Sequence, residues 1–448
     1  MKSRPTAILI LAIIAGLLAP MDALAQFSGF PDEDFVDEEV ILAADLRLEL
    51  DDDPRPTSID WLPDGDLLVI TQQGGLFRGN GTNVVELLDL SQGICSFNVS
   101  NEMGLLGLAV DPDFSGNTGN VFLYYTDRRE GGRCANRVSK FTLDLVDNEV
   151  SNEEPLIDNI PAPGGNHNGG DLQFGRDGLL YVSVGDGGED LRTGDSQDGN
   201  RNARRRDLLN GKILRITPNG GIPAGNPFQG PGTARCASTG QLERDGQRVE
   251  AEKKSKKQKR RAKKRKRKQR RNREPATICR EIFATGLRNP YRIAFDPDDS
   301  NRFYINDVGG DGFEEVNEGA RGMDYGWNLR EGPCPINNIQ PNCSPDSRFE
   351  DPVFAYRRLG APPFDGCRTI TGGAFVPNVS NWPGFEDAYL FADLFCGRIF
   401  ALHDDSPGET PDVFASGEGA THLVFGPDGD LYYTAFFDGE IHKIVRSN

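Results

Sequence analysis

The sequence is poor in histidine and in the patterns that are typical of helices. Only four histidines occur among 448 residues, and no stretch repeats apolar residues at the helical period for long. Beyond residue 25 there is no apolar run near the ~20 residues needed to span a bilayer. No pair of cysteines has the close CxxC spacing of a zinc site. These absences argue against a helical bundle, a membrane-spanning protein and a zinc-ribbon protein.

The first 25 residues have the three parts of a signal peptide. Lys2 and Arg4 precede the apolar run ILILAIIAGLLA, and residues 23–25 (ALA) supply the small-residue pattern of a cleavage site. The alternative, a membrane anchor, is disfavoured because the run is too short to span a bilayer. We therefore predict an exported protein, periplasmic or secreted, whose mature chain starts at Gln26.

The cysteines are even in number, which in an exported chain favours disulfides. There are eight of them: Cys95, Cys134, Cys236, Cys279, Cys334, Cys343, Cys367 and Cys396. Pairing in sequential order is the simplest arrangement. The sequence alone does not choose it over the other connectivities.

One basic run stands apart from an otherwise acidic chain. The net charge is −18, yet residues 253–273 contain 16 lysines and arginines, so the remainder carries about −34 (−18 minus 16). Such a run repels itself and is predicted to be a disordered insertion over about residues 240–276, with Cys236 and Cys279 at its base. It is either a tether for a polyanion or a solvated loop lying on the protein's own acidic surface.

A strand–turn–strand pattern recurs along the chain, usually with Pro-Asp-Gly or a similar turn. Six copies are found, at residues 59–71, 106–126, 172–184, 293–309, 375–402 and 423–444. This repetition predicts an all-β fold, a six-bladed β-propeller over residues 41–448, after an acidic flexible leader over residues 26–40. Apolar segments near the two ends, ILAADLRLEL and IHKIV, would share one blade and close the ring. A row of unrelated β-sandwiches is the weaker alternative.

His167 lies in an unusual setting in the stretch GGNHNGGDLQFGRDGLLYVSVGDGG, residues 164–188. Glycines crowd around His167 and, after the hairpin, around Asp186, so main chain can approach a ligand closely. A lone histidine is commonly structural, but imidazole ordinarily titrates near neutral pH and can act as a base. We predict that His167 is catalytic.

Six motifs follow one another along the chain: EMGLLGLAVDPDF (102–114), HNGGDLQFGRDGLLYVSVGDGG (167–188), LNGKILRITPNGGIP (209–223), FATGLRNPYRIAFDP (283–297), DVGGDGFEEVNEGARGMDYGWN (307–328) and YLFADLFCGRIFAL (389–402). Together they resemble the soluble glucose and sorbosone dehydrogenase family. The resemblance runs from about residue 45 to the C-terminus, with the basic insertion as an interruption. It implies a six-bladed propeller that uses pyrroloquinoline quinone (PQQ) and calcium to oxidise an aldose to a lactone, with an external electron acceptor.

The resemblance also implies roles for individual residues. His167 falls at the position of the general base that takes the proton of the sugar's anomeric hydroxyl. Arg288 and Asn289 match the pair that contacts the quinone. The backbone carbonyls of Gly309 and Gly310 match the calcium ligands, with calcium as a Lewis acid on the quinone. The substrate-binding positions are predicted to be Glu102 and Asp186.

The chain departs from that family where its members hold the carboxylates of PQQ. Phe395 stands in place of a lysine, and Gly419 and Thr421 stand in place of two arginines. Losing about three such contacts weakens binding by several kcal/mol, at roughly 1–3 kcal/mol each. Cations that could compensate are Arg398, His422 and Arg321. These departures keep an alternative open: a non-catalytic propeller of the same family that binds a glycan or a protein.

Overall fold

The structure is a computed structural model that describes most of the chain. The described residues are 28–30, 35–48, 53–81, 83–95, 102–196, 199–241, 277–299, 302–340, 343–380, 382–403, 409–417 and 419–446. The predicted signal peptide and almost all of the predicted basic insertion lie outside them.

Within the described residues, β-strands form six four-stranded antiparallel sheets. The first strand is β1 (Phe35–Ile41), and the first sheet then contains β2 (Pro56–Trp61), β3 (Leu67–Thr71), β4 (Gly75–Gly79) and β5 (Val84–Asp89). The second contains β6 (Leu105–Val110), β7 (Thr118–Arg128), β8 (Cys134–Asp144) and β9 (Glu149–Pro161). The third contains β10 (Gly169–Phe174), β11 (Leu180–Val184), β12 (Lys212–Ile216) and β15 (Ile282–Thr285).

The second half of the chain supplies the other three sheets. The fourth contains β16 (Pro290–Phe295), β17 (Phe303–Asp307), β18 (Phe313–Glu318) and β21 (Phe354–Arg357). The fifth contains β22 (Ile370–Phe375), β23 (Tyr389–Asp393), β24 (Arg398–Leu402) and β25 (Asp412–Ser416). The sixth contains β26 (Ala420–Phe425), β27 (Leu431–Ala435), β28 (Glu440–Arg446) and β1.

Short elements complete the described chain. Two-stranded sheets pair β13 (Thr233–Ala234) with β14 (Ile278–Cys279) and β19 (Arg330–Glu331) with β20 (Cys334–Pro335). Short 3₁₀ helices occupy Ala43–Leu46, Glu130–Gly132 and Asn202–Arg204. Among the described residues, no helix has the length and hydrophobicity needed to cross a bilayer.

The six sheets are the blades of a ring, which confirms the predicted propeller. The inner strands β2, β6, β10, β16, β22 and β26 pack side by side in that order, and β26 packs against β2. Apolar side chains from neighbouring blades fill the spaces between sheets, as when Leu106 and Tyr124 of the second blade pack with Leu172 and Val184 of the third. In such a ring all inner strands run in one direction, so the loops that precede them meet at a single rim.

Asp-Gly turns set the inner hairpins, as predicted. In the third blade β10 pairs with β11 so that Phe174 faces Leu180. Between them Gly178 has a φ of 69°, a conformation that glycine adopts without strain, and the Asp177 carboxylate accepts the N–H of Leu179 at 3.1 Å.

The first strand corrects the predicted N-terminal boundary. Residues 35–40 were predicted to be a flexible leader, but Phe35–Ile41 forms β1 and pairs with β28, with Phe35 opposite Arg446. Phe35, Asp37 and Ile41 are buried, whereas acidic neighbours face outward, so the acidic composition concealed a strand alternation. The shared closing blade was predicted correctly. The N-terminal strand of that blade was assigned to the wrong segment, ILAADLRLEL, in which residues 43–46 form a 3₁₀ turn instead.

We expect Phe35→Ala to lower the free energy of unfolding by about 3 kcal/mol, because a buried aromatic ring is lost from the closing blade. The Phe35 ring is 5% exposed and lies 4.7 Å from the Trp382 ring, centre to centre. Val36 is 42% exposed on the opposite face of the same strand, so Val36→Ala should cost within about 0.5 kcal/mol. Urea unfolding of both variants measures the difference. Equal losses would contradict this packing.

All eight cysteines form disulfides, in the sequential pairing given above as the simplest. The bridges are Cys95–Cys134, Cys236–Cys279, Cys334–Cys343 and Cys367–Cys396. The second bridge joins β14 to the segment that enters the basic insertion, so that insertion is anchored at its base.

Candidate active site

The residues predicted to be functional lie at one rim of the ring. His167 and the pair Arg288–Asn289 precede the inner strands β10 and β16, and Asp186 follows the second strand β11. Segments before inner strands and after second strands lie at the same end of a blade. Glu102, which precedes β6, lies at that end as well. The rim is therefore where these side chains meet.

His167 and Asp186 form a buried pair. The His167 Nδ1 lies 2.8 Å from the Asp186 Oδ1, and the two residues are 6% and 1% exposed. Nδ1 is therefore engaged by a carboxylate, which favours the tautomer that carries its proton there. Nε2 makes no hydrogen bond to any described residue. Its lone pair is available to accept a proton.

Asp186 is held from several sides and stays ionised. Its Oδ1 also accepts the N–H of Gly188 at 2.9 Å, and its Oδ2 accepts the indole N–H of Trp327 at 2.8 Å. Burial favours the neutral carboxyl, but the His167 contact, the nearby Arg288 and the Gly188 hydrogen bond outweigh it, so the pKa of Asp186 lies below its ordinary value. A carboxylate in this place orients the imidazole and stabilises its protonated form.

The backbone of His167 is held in an uncommon conformation. Its φ is 54°, in the left-handed region that few residues other than glycine and asparagine occupy easily. Its N–H donates to Glu102 Oε2 at 3.0 Å, and its carbonyl accepts the N–H of Gly187 at 3.1 Å. A Cβ at position 185 would lie 2.0 Å from that carbonyl, so only glycine fits there. The glycines of this segment therefore let the backbone pack closely enough to hold the His167 imidazole in place.

Asn289 ties this pair to the fourth blade. Its Oδ1 accepts the N–H of Gly169 at 3.0 Å, and its Nδ2 donates to Glu102 Oε2 at 3.0 Å. Glu102, predicted to bind substrate, therefore uses one oxygen to join His167 and Asn289. Its Oε1 makes no hydrogen bond to the described residues and is available to a ligand.

Arg288 lies beside the same network. Its Nη1 donates to the Val308 carbonyl at 3.0 Å, and its guanidinium carbon lies 5.4 Å from the centre of the Trp327 ring. The Arg288 carbonyl accepts the N–H of Asp186 at 2.7 Å. The carboxylate of Asp307 accepts the backbone N–H of Arg288 and of Asn289. The structure thus brings His167, Asp186, Glu102, Arg288 and Asn289 together.

The carbonyls of Gly309 and Gly310, predicted to bind calcium, both accept hydrogen bonds from the guanidinium of Arg358. The Nη1 of Arg358 is 2.7 Å from the Gly309 oxygen and donates to the Gly310 oxygen as well. Its Nε lies 3.4 Å from Glu314 Oε1. A cation that belongs to the chain therefore lies where a metal was expected.

Phe395, Gly419 and Thr421, the three positions that lack the family's cations, have different surroundings. Phe395 is 51% exposed, and the Arg368 guanidinium carbon lies 4.2 Å from the centre of its ring. A Cβ at Gly419 would lie 2.4 Å from the Leu394 carbonyl, so no arginine fits there. The Thr421 hydroxyl is buried against the Pro56 carbonyl.

The residues expected to compensate are engaged elsewhere. Arg398 donates to the Pro363 and Asp365 carbonyls, and Arg321 donates to the Gly225 carbonyl. His422 is buried, and its Nδ1 accepts the N–H of Ile59. These contacts do not support the possibility that the three residues replace the missing cations. Arg368 is the cation found beside Phe395.

Sequence reasoning missed Arg358, Arg368 and Trp327 as members of the rim. Trp327 lies 141 residues from Asp186, so no local pattern joins the two. The available signal for Trp327 was its position in a motif that resembles the family. Arg358 follows the outer strand β21 and had no such signal.

Carboxyl groups are buried beneath the rim of the fourth blade. Burial and the charge of Glu315 raise the pKa of Asp307 well above its ordinary value, and burial raises the pKa of Glu315 to about 7. Burial also raises the pKa of Glu314 to about 8, although the Arg358 guanidinium opposes that shift. These groups keep protons in the folded chain at pH values where the unfolded chain loses them.

The protein should therefore lose stability as the pH rises from about 4.5 towards 7. The unfolded chain releases these protons near pH 4, so deprotonation favours unfolding by up to about 1.4 kcal/mol per pH unit for each such carboxyl. Glu315→Gln should make the decline shallower, and Glu318→Gln, on the exposed face of the same strand, should not. Urea unfolding between pH 5 and 7.5 measures both slopes. A Glu315→Gln slope equal to that of the parent would contradict this account.

A second cluster of potential metal ligands lies in the fifth blade, but it is not a metal site. It contains Cys367, Asp393 and Cys396. Both sulfurs are joined in a disulfide, so neither offers a thiolate. Asp393 instead accepts the Tyr356 hydroxyl at 2.7 Å.

Comparison with known proteins finds a family model and several relatives, which include sugar dehydrogenases. A family model described as glucose/sorbosone dehydrogenase matches residues 53–256 and 271–441. The aldose sugar dehydrogenase YliI of Escherichia coli (strain K12) is 25% identical over 406 residues, which cover 88% of this chain and 91% of that protein.

Two further comparisons differ in coverage. The HIPL2 protein of Arabidopsis thaliana is 26% identical over 354 residues, or 67% of this chain, but this chain spans only 44% of that relative's length. The solved PQQ-bound form of an aldose sugar dehydrogenase from Streptomyces coelicolor is 22% identical, with a TM-score of 0.62 over 92% of this chain and 98% of that chain. At that identity the likeness establishes the fold.

Proposed function

Because the chain belongs to the glucose/sorbosone dehydrogenase family, whose model matches residues 53–256 and 271–441, we propose that it oxidises an aldose at the anomeric carbon to the lactone, with PQQ as the hydride acceptor and His167 as the general base. The observation that carries this proposal is the buried His167–Asp186 pair, in which Nε2 of the imidazole makes no hydrogen bond to the described residues.

This pair can remove a proton from an alcohol. When the anomeric carbon loses hydride to a bound acceptor, the O–H proton would pass to Nε2 of His167 as the C=O bond forms. Asp186 then faces an imidazolium through Nδ1 and stabilises its charge. Glu102 Oε1 is free to accept a hydrogen bond from a sugar hydroxyl. His167 thus supplies the base and Asp186 orients it, so no further group is needed to accept the proton.

The rim residues fit an anionic quinone better than they fit calcium. PQQ supplies an electrophilic carbon that accepts hydride. Arg288 and Asn289 would hold it beside His167, and the guanidinium of Arg368 offers a positive charge near the exposed Phe395. Calcium does not fit while Arg358 donates to both carbonyls of the predicted site, so no step is assigned to a metal.

Reconstitution tests the activity directly. The purified mature chain is mixed with PQQ, and dye reduction is followed with a panel of aldoses. We expect a change in the PQQ absorbance on binding and sugar-dependent dye reduction, with the dye as external acceptor. A chain that neither alters the PQQ spectrum nor oxidises any sugar would overturn the proposal.

The neutral positions 395, 419 and 421 support a second candidate, a non-catalytic propeller that binds a glycan or a protein at the rim. The two candidates differ in one observable. Glycan binding at the rim, unaffected by PQQ and unaccompanied by turnover, would favour the second. Polyanion binding by the basic insertion stays a separate prediction, on residues that lie almost entirely outside those described.

Export is also part of the proposal. Four disulfides use all eight cysteines, and disulfides form and persist in oxidising compartments. A periplasmic or secreted location follows from this and from the predicted signal peptide. Detection of the mature chain starting at Gln26 outside the cytoplasm tests it.

A further inference from the structure

The guanidinium of Arg358 contacts a group of oxygen atoms of the kind that binds calcium. The Gly309 carbonyl, the Gly310 carbonyl and a carboxylate oxygen of Glu314 all lie against one guanidinium. Hard cations such as calcium bind carbonyl and carboxylate oxygens of this kind. The Arg358 guanidinium donates hydrogen bonds to both glycine carbonyls and faces the Glu314 oxygen at 3.4 Å, and a guanidinium carries its positive charge permanently.

The turn that presents these oxygens is held independently of Arg358. One oxygen of Glu331 accepts the N–H groups of Gly310, Gly312 and Phe313 at 2.7, 2.9 and 3.1 Å. A Cβ at Gly309 would lie 1.6 Å from the Phe313 carbonyl, so the chain passes very close to itself there. The carbonyls should therefore keep their places when the Arg358 side chain is shortened.

Glu314 also has a fixed place without Arg358. Its Oε2 accepts the N–H groups of Gly309 at 3.3 Å and Ile370 at 3.1 Å, and the side chain is fully buried. The Arg358 backbone is anchored as well, because its N–H donates to the Gly312 carbonyl. The Arg358 Nη2 makes no hydrogen bond to the described residues. It remains available to an anionic ligand.

We infer that Arg358 is a built-in substitute for the divalent cation at this rim, so that the chain has no calcium site at Gly309–Gly310 and binds an anionic, carboxylate-bearing ligand without metal. Quinone binding without calcium rests on the proposed function. The occupation of the metal's place by Arg358 does not, because it concerns the protein alone.

Calcium titration of the chain without quinone or sugar tests the inference. Isothermal titration should find one more saturable site per chain in Arg358→Ala than in the parent. The double variant Arg358→Ala/Glu314→Gln should bind that calcium at least tenfold more weakly, because a carboxylate ligand becomes an amide. Thermal melting checks that each variant is folded.

A second readout uses PQQ absorbance in the presence of a calcium chelator. The parent should bind PQQ equally with chelator or with calcium, whereas Arg358→Ala should bind it at least tenfold more tightly when calcium is supplied. A parent chain that already binds calcium with the stoichiometry of Arg358→Ala would overturn the inference, as would a folded Arg358→Ala that gains no site. If no PQQ binds under any condition, the proposed function fails while the calcium titration still decides the role of Arg358.

Discussion

Replacing His167 with asparagine should lower kcat/KM for sugar oxidation by about 10²- to 10⁴-fold, the usual contribution of a general base. Asparagine tolerates the left-handed backbone of this position, and its amide can still donate to Asp186. The fold and the melting temperature should therefore stay close to those of the parent. The measurement is dye reduction by the PQQ-reconstituted chain.

The matched control for this change is His403→Asn. His403 lies 3.5 Å from Asp412 in the fifth blade, and its side chain is 26% exposed. It should keep the parent's activity. A His167→Asn variant that is folded, binds PQQ and retains more than a tenth of the parent's rate would refute the role of His167 as the base.

Asp186→Asn should also abolish most of the turnover, by about 10²- to 10⁴-fold, through the tautomer of His167. The new amide would donate to Nδ1, so the ring proton would have to reside on Nε2. An Nε2 that already carries a proton cannot accept one from the sugar. We therefore expect Asp186 to position the imidazole, in place of the substrate contact predicted from the sequence, because its two oxygens are engaged by His167, Gly188 and Trp327.

The pH profile separates this effect from mere disturbance of the loop. Because Nε2 no longer serves as the base in this variant, the kcat/KM profile against pH should change its shape, while PQQ affinity remains unchanged. Asp190→Asn is the control, because the Asp190 carboxylate is buried in the same segment and accepts the N–H groups of Arg192 and Arg201. An Asp186→Asn profile with the parent's shape and position would contradict the assignment.

Local patterns predicted the parts of the fold and site that depend on near neighbours. Alternation and the Asp-Gly turns located the hairpins, including β10 and β11. His167 and Asp186 lie at the two ends of that hairpin, 19 residues apart, so their approach follows from strand pairing alone.

Contacts between distant segments could not be read from the sequence. Arg358 reaches Gly309 from 49 residues away in the sequence, because it follows β21, which pairs with β18, and nothing in its own neighbourhood marks it. The first strand was hidden for another reason: Glu38 and Glu39 are exposed but Asp37 is buried together with Phe35 and Ile41, so the acidic composition suggested a loose leader. Both cases depend on the pairing of strands that are distant in the sequence, β21 with β18 and β1 with β28.

The pairing of β1 with β28 leaves the ring with one seam between the earliest and the latest strands. During synthesis or translocation, the strands of the other five sheets are available before β28 is. Until that strand arrives, β1 has an unpaired edge and Phe35 has no blade to cover it, which invites aggregation and proteolysis. Truncation within the final residues should therefore expose both termini to aggregation and proteolysis at once. An intact C-terminus is then required for the stability of the whole chain.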